Sequence, residues 1–175
     1  SNVRVAVIAT DKFEDSELTS PVEAVKEHGA TVTVLSTEAG TIEGKNGTTV
    51  AVDATTAGAD PAEFDALILP GGTGNADKIR MDPDAVDFVK KHVESGKPVG
   101  VICHGGWILT DADVLSGRTL TSYPSLKTDL RNAGATWVDE EVHVDNGLVS
   151  SRTPKDLPAF NEKIVEQFAP ATTRQ

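Results

Sequence analysis

Short apolar runs recur along the chain, each followed by a stretch in which apolar residues return every three or four positions. That alternation predicts strands separated by helices. Val3-Arg4-Val5-Ala6-Val7-Ile8-Ala9 reads as a strand covered on both faces, hence parallel and central. Asp15 to His28 follows with Leu18, Val22 and Val25 on one helical face, and Gly29 stops it. Pro21 fits that helix only in its first turn or at a kink. Thr31 to Ser36 completes a strand-helix-strand unit, whose crossover is expected to be right-handed.

The pattern then changes. Gly40, Gly44 and Gly47 punctuate polar and β-branched residues between Thr41 and Val52, which predicts a hairpin excursion. Asp65-Ala66-Leu67-Ile68-Leu69 is another buried strand, ended by Pro70-Gly71-Gly72. Pro83 to Ser95 reads as a helix with proline in its first turn. Pro98 to Ile102 is a strand, His104 to Asp111 a helix, Thr119 to Ser122 a strand, and Ser125 to Ala133 a helix. Val142 to Val144 and Leu148 to Ser150 flank Asn146-Gly147, a hairpin turn signal. Pro154 to Phe168 is a final helix. The expected fold class is α/β, a flavodoxin-like three-layer sandwich with a mostly parallel central sheet. A single domain should span residues 1–169, with 170–175 as a frayed tail.

Charge and composition narrow the function. The formal net charge of -11 opposes a phosphate backbone, so nucleic acid is not an expected partner. No window is long and apolar enough for a membrane span, and no signal peptide is visible, so the expected location is the cytoplasm. One cysteine allows neither an internal disulfide nor a multi-cysteine zinc site. The acids Asp111, Asp113, Asp139, Glu140 and Glu141 lack the spacing of a calcium loop and read as solvated surface. No glycine-rich phosphate motif occurs, and no cofactor or metal is expected. His28 and His92, near helix C-termini, read as surface residues, while His143 in a strand could approach a pocket.

Candidate chemistry converges on Cys103. It follows the apolar strand ending at Ile102 and precedes His104-Gly105-Gly106 at the start of a helix. A nucleophile in such a turn is expected to face solvent, with its thiolate favoured by the helix N-terminus. The backbone amides that follow can receive an oxyanion. Two further strand ends offer matching parts: the segment Thr10 to Asp15, which contains Glu14, and Pro70-Gly71-Gly72. Glu14 alone could equally favour the start of the next helix.

Taken together, these segments resemble the PfpI-type intracellular peptidases. Those belong to a superfamily with the parkinsonism-associated deglycases, stress chaperones and glutamine-amidotransferase-like domains. The resemblance runs from Val3 to about Phe168. It is carried by Phe13-Glu14-Asp15-Ser16-Glu17-Leu18, Gly44-Lys45-Asn46-Gly47, Phe64 to Gly72, Gly96-Lys97-Pro98-Val99, Ile102-Cys103-His104-Gly105 and Thr121-Ser122-Tyr123-Pro124. It implies Cys103 as nucleophile, His104 as its base, and Glu14 as the carboxylate that contacts the sulfur. It implies Gly71, Gly72, Gly105 and the His104 amide around the oxyanion, and Tyr123 near the pocket. Asp77 falls where the family carries an acid that reaches the histidine from a neighbouring subunit, which implies a homo-oligomer, at least a dimer. Two departures stand out: Asp77 is shorter than the glutamate often found there, and bulky Trp107 narrows the pocket.

The implied activity is thiolate attack on an electrophilic carbonyl, as an intracellular peptidase, glyoxalase or protein deglycase acting in stress protection. Substrates would be small carbonyl compounds, peptides or glycated proteins. The alternative is a non-catalytic stress protein that uses Cys103 as a redox sensor. An ammonia-releasing amidotransferase is disfavoured, because no His-x-Glu pair follows Cys103.

Overall fold

The computed structural model describes residues 2–170, so all of the expected tail beyond Pro170 lies outside the described residues. Strand β1 (Arg4–Ile8) leads into helix α1 (Asp15–Glu27) and strand β2 (Thr31–Ser36). The hairpin β3 (Gly40–Glu43) and β4 (Thr49–Val52) stands apart as an antiparallel pair, and β5 (Ala54–Thr55) returns to the edge of β2. Then come β6 (Ala66–Leu69), α2 (Thr73–Ile79), α3 (Pro83–Glu94) and β7 (Val99–Ile102). A 3-10 turn at Cys103–Gly106 opens α4 (Trp107–Asp111). The remainder is β8 (Thr119–Leu120), α5 (Lys127–Asn132), β9 (Thr136–Trp137), β10 (His143–Asp145), β11 (Leu148–Ser151) and α6 (Leu157–Phe168).

The main sheet has seven strands in the order β10-β11-β7-β6-β1-β2-β5. Every pairing is parallel except the β10–β11 hairpin, whose turn places Asn146 at φ 46° and Gly147 at φ 84°. Alternation divides the buried strand residues between two cores. Ala6, Ile8, Leu67, Leu69, Val99 and Val101 meet Phe88 and Val89 of α3 and Ile108 and Leu109 of α4. Val5, Val7, Ala66, Ile68 and Ile102 meet Leu18 and Val25 of α1 and Phe160 and Ile164 of α6. These faces make the three layers. The chain leaves β1 for β2 on one side and returns to β6 on the other, so a crevice opens at the carboxyl ends of β1 and β6.

Several local expectations are corrected. Thr119 and Leu120 do not join the main sheet; they pair in parallel with Thr136 and Trp137. The helix expected from His104 is a 3-10 turn followed by five α-helical residues. Pro21 sits inside α1, beyond the first turn, and is buried. His92, expected at the surface, is fully buried. It shares the helical stripe of Ala85, Phe88 and Val89, stacks on Phe88, and meets the Pro98 carbonyl through Nε2 at 3.0 Å. Burial pushes its pKa down, which favours the neutral ring. Among the described residues, no helix is long and apolar enough to cross a membrane.

Candidate active site

Strand β7 delivers Cys103 to the crevice in a left-handed conformation, φ 61°. That conformation is unfavourable for a residue with a Cβ, by about 1–3 kcal/mol, and persists only where neighbours enforce it. One constraint is the Tyr123 N–H, which donates to the Cys103 carbonyl at 3.1 Å. Another is Gly105, where a Cβ would overlap the Leu69 carbonyl oxygen and stand 2.9 Å from that of Pro70. Gly105 thus lets the turn pack against the end of β6.

Cys103 is only 8% exposed, contrary to the expected solvent-facing thiol. The sulfur instead faces α1. There it meets a carboxyl group, and that group belongs to Glu17. Glu17 is fully buried; its Oε1 accepts the Gly71 N–H at 2.9 Å. Its Oε2 is sealed from solvent without a conventional hydrogen-bond partner, and the side chain interacts with the Cys103 thiol. Glu14, expected in that place, instead forms an ion pair with Lys45 Nζ at 2.7 Å. The reason is helical geometry. Glu14 precedes the first turn of α1, whereas Glu17 lies on the stripe of Pro21 and Val25, one and two turns on. An acid on an apolar stripe was the available signal, because the other members of that stripe are core.

The glycine pair divides its work. The Gly71 N–H holds Glu17 and is not free for an oxyanion, and a Cβ on Gly71 would overlap Glu17 Oε1 and stand 2.8 Å from the Cys103 Cβ. Gly72, at φ 94°, turns its N–H toward the sulfur, as does the His104 backbone. A side chain at 72 would overlap the Lys12 carbonyl.

The charge state of the pair follows from burial. Burial first, then the Glu14 charge, push the Glu17 carboxyl up to about 8. Burial and the charge of Glu17 push the Cys103 thiol up to about 12, while the His104 and Gly72 amides pull it down. This reverses the expected depression by a helix N-terminus, since the helix there is short and the sulfur is desolvated. At pH 7 Glu17 retains its proton, so its repulsion of a thiolate is absent.

His104 reaches the sulfur from the other side, Nδ1 to Sγ 3.4 Å. Its Nε2 faces the Ser125 hydroxyl at 3.4 Å, and its ring stacks on Tyr123 with centroids 4.6 Å apart. Burial lowers its pKa, so the ring is neutral at pH 7 and Nδ1 can accept a proton if Nε2 carries the hydrogen. Trp107 stands edge-on at 5.7 Å, tied outward by Asp129 and covered by Arg80. Asp77 is exposed on α2 and makes no side-chain contact with His104 within the chain. His143 pairs with Glu140 at 2.9 Å. Sequence reasoning assigned no role to Glu17, Lys45 or Ser125. Among the described residues, no group of three or more His, Cys, Asp or Glu gathers as metal ligands.

Residues 3–167 match the DJ-1/PfpI family. A deglycase of Pyrococcus abyssi is 48% identical over 164 residues, covering 94% of this chain and 98% of the relative. The protein/nucleic acid deglycase 2 of Escherichia coli is 48% identical over 163 residues, covering 91% and 94%. Among solved structures, a two-domain protein of Anabaena variabilis with DJ-1/ThiJ/PfpI-like and ferritin-like domains superposes with a TM-score of 0.92 at 35% identity. That match covers 99% of this chain and 50% of the longer one.

Proposed function

Because the chain belongs to the DJ-1/PfpI family, we propose that it is a cysteine-dependent enzyme acting on electrophilic carbonyls, with Cys103 as nucleophile. The observation that carries this reading is the convergence of Glu17, His104 Nδ1 and two backbone amides on one strained cysteine sulfur. Buried polar groups gathered on a single reactive atom serve chemistry better than packing.

The thiol proton passes to His104 Nδ1. The sulfur lone pair forms a C–S bond with the carbonyl carbon, and the C=O π pair moves to oxygen. That oxygen takes a proton from Glu17 or from the imidazolium, giving a hemithioacetal from an aldehyde. With an amide, collapse of the tetrahedral centre re-forms the C=O and breaks the C–N bond; the nitrogen leaves with the imidazolium proton, and water then hydrolyses the thioester left on sulfur. An early glycation adduct, a hemiaminal, first expels its protonated nitrogen as its hydroxyl becomes the C=O of the aldehyde, which the sulfur then attacks. The Gly72 and His104 N–H groups, turned toward the sulfur, are the proposed donors to the developing oxyanion.

The names of the relatives favour deglycation, and the Escherichia coli protein's name adds nucleic acids to proteins as substrates. The net charge of -11 argues against gripping a phosphate backbone, not against action on a single modified base. The proposed setting is stress protection in the cytoplasm. A homo-oligomer belongs to the same reading, with Asp77 of one copy reaching His104 of another; its exposure on α2 suits that role.

Turnover of methylglyoxal and of a glycated thiol by wild type and Cys103→Ser is the test. Loss of both activities in the variant, with an unchanged circular dichroism spectrum, is expected. Retained turnover would remove Cys103 as nucleophile. A wild type that turns over nothing but accumulates oxidised Cys103 would favour the redox sensor.

A further inference from the structure

The Lys45 side chain belongs to the hairpin excursion, yet it is held against Glu14, the residue that precedes α1. The β3–β4 turn is fastened to the start of α1 by backbone bonds and by one carboxylate. Asp15 accepts the Asn46 and Thr48 N–H groups, each at 3.0 Å, and the Lys45 N–H donates to the Phe13 carbonyl at 3.0 Å. A Cβ on Gly44 would stand 2.6 Å from the Asp15 carboxyl carbon, so the approach is close. None of these bonds uses the lysine side chain. Its ammonium reaches Glu14, whose own N–H donates to the Gly71 carbonyl at 3.2 Å, beside the Cys103 Cβ.

We propose that Lys45 is a substrate-recognition residue, a cation held at the mouth of the site for carbonyl substrates that carry a carboxylate. This deepens the reading of Cys103 as a carbonyl-directed nucleophile and rests on it. Three observations support it. First, the ammonium has three donors and the ion pair with Glu14 engages one; the lysine side chain is 53% exposed against 18% for Glu14, so it is open to a second partner from solvent. Second, the ion pair is tied to the buried pair through one glycine: the Glu14 N–H donates to the Gly71 carbonyl, and the Gly71 N–H donates to Glu17 beside the sulfur. Third, the other groups at the sulfur carry no positive charge at pH 7, since burial keeps His104 neutral and Glu17 protonated. In a chain of net charge -11, long-range attraction does not bring an anion to the site, and selection for one must be local.

Two alkylating reagents of similar size separate charge recognition from thiol reactivity. Iodoacetate is anionic and iodoacetamide is neutral. The rate of Cys103 labelling by each is followed by mass spectrometry at pH 7.5, and their ratio is normalised to that of free cysteine. The expected wild-type ratio exceeds unity and shrinks at about 0.5 M salt. Lys45→Met should lower it by about three- to tenfold, the range for one partly screened charge contact. Lys45→Arg should keep it, and Glu14→Gln should raise it by releasing the ammonium. An unchanged ratio in Lys45→Met, or an equal fall in both rates, overturns the proposal while leaving Cys103 as nucleophile. A wild-type Cys103 that resists both reagents overturns recognition and nucleophile together.

Discussion

At the scale of single residues, the buried pair of Glu17 and Cys103 makes the sharpest demand on the fold. A carboxyl whose pKa is about 8 in the native state holds a proton that the unfolded chain releases near 4.5. Between those values the native state binds more protons than the unfolded state, so stability falls as pH rises through the window. Each unit of difference corresponds to about 1.4 kcal/mol, which makes the cost a few kcal/mol by pH 8. Glu17→Gln mimics the protonated side chain, can accept the Gly71 N–H, and cannot ionise. Its Tm should match that of wild type at pH 4 and exceed it increasingly toward pH 8, while turnover falls because the amide cannot transfer a proton. Calorimetry at several pH values checks this; a Tm difference independent of pH would place the raised carboxyl elsewhere.

At the scale of elements, the β3–β4 hairpin depends on one acid from another element. Asp15 sits in the first turn of α1, and its pKa is lowered, first by the Thr48 side chain and also by the Asn46 and Thr48 amides. Its contribution to stability is therefore full above the ordinary carboxylate range and is lost as pH falls through its lowered pKa. Asp15→Ala should cost about 1–3 kcal/mol, because it strands two amide donors. The variant should also be cleaved by trypsin after Lys45 faster than wild type, with the central sheet intact. Equal cleavage rates would show that the backbone bond from Lys45 to Phe13 anchors the turn alone.

At the scale of the whole molecule, the exposed Asp77 leaves His104 oriented by the Ser125 hydroxyl and Tyr123 within one chain. The proposed oligomer would add a carboxylate, and two-fold symmetry would supply it to two sites at once. Light scattering at micromolar concentration should give at least a dimer, and Asp77→Asn should lower turnover severalfold with little change in Cys103 alkylation. A monomer with full activity would assign the orienting role to Ser125.

The order of strands and helices was determined by the sequence alone, because burial on one face or two leaves a periodicity that local residues carry. The parallel sheet, the hairpin at Asn146-Gly147 and the position of Cys103 at a strand end all follow from such local patterns. Which carboxyl meets the sulfur was decided only by tertiary structure. The apolar stripe of α1 marks Glu17 as inward and Glu14 as outside the helix, but which group an inward acid meets depends on how that helix is set against β6 and β7. The same holds for His92, exposed or buried according to which stripe of α3 meets the sheet. The reversed direction of the thiol's pKa has the same origin: desolvation depends on atoms distant in sequence, and a turn motif does not contain them.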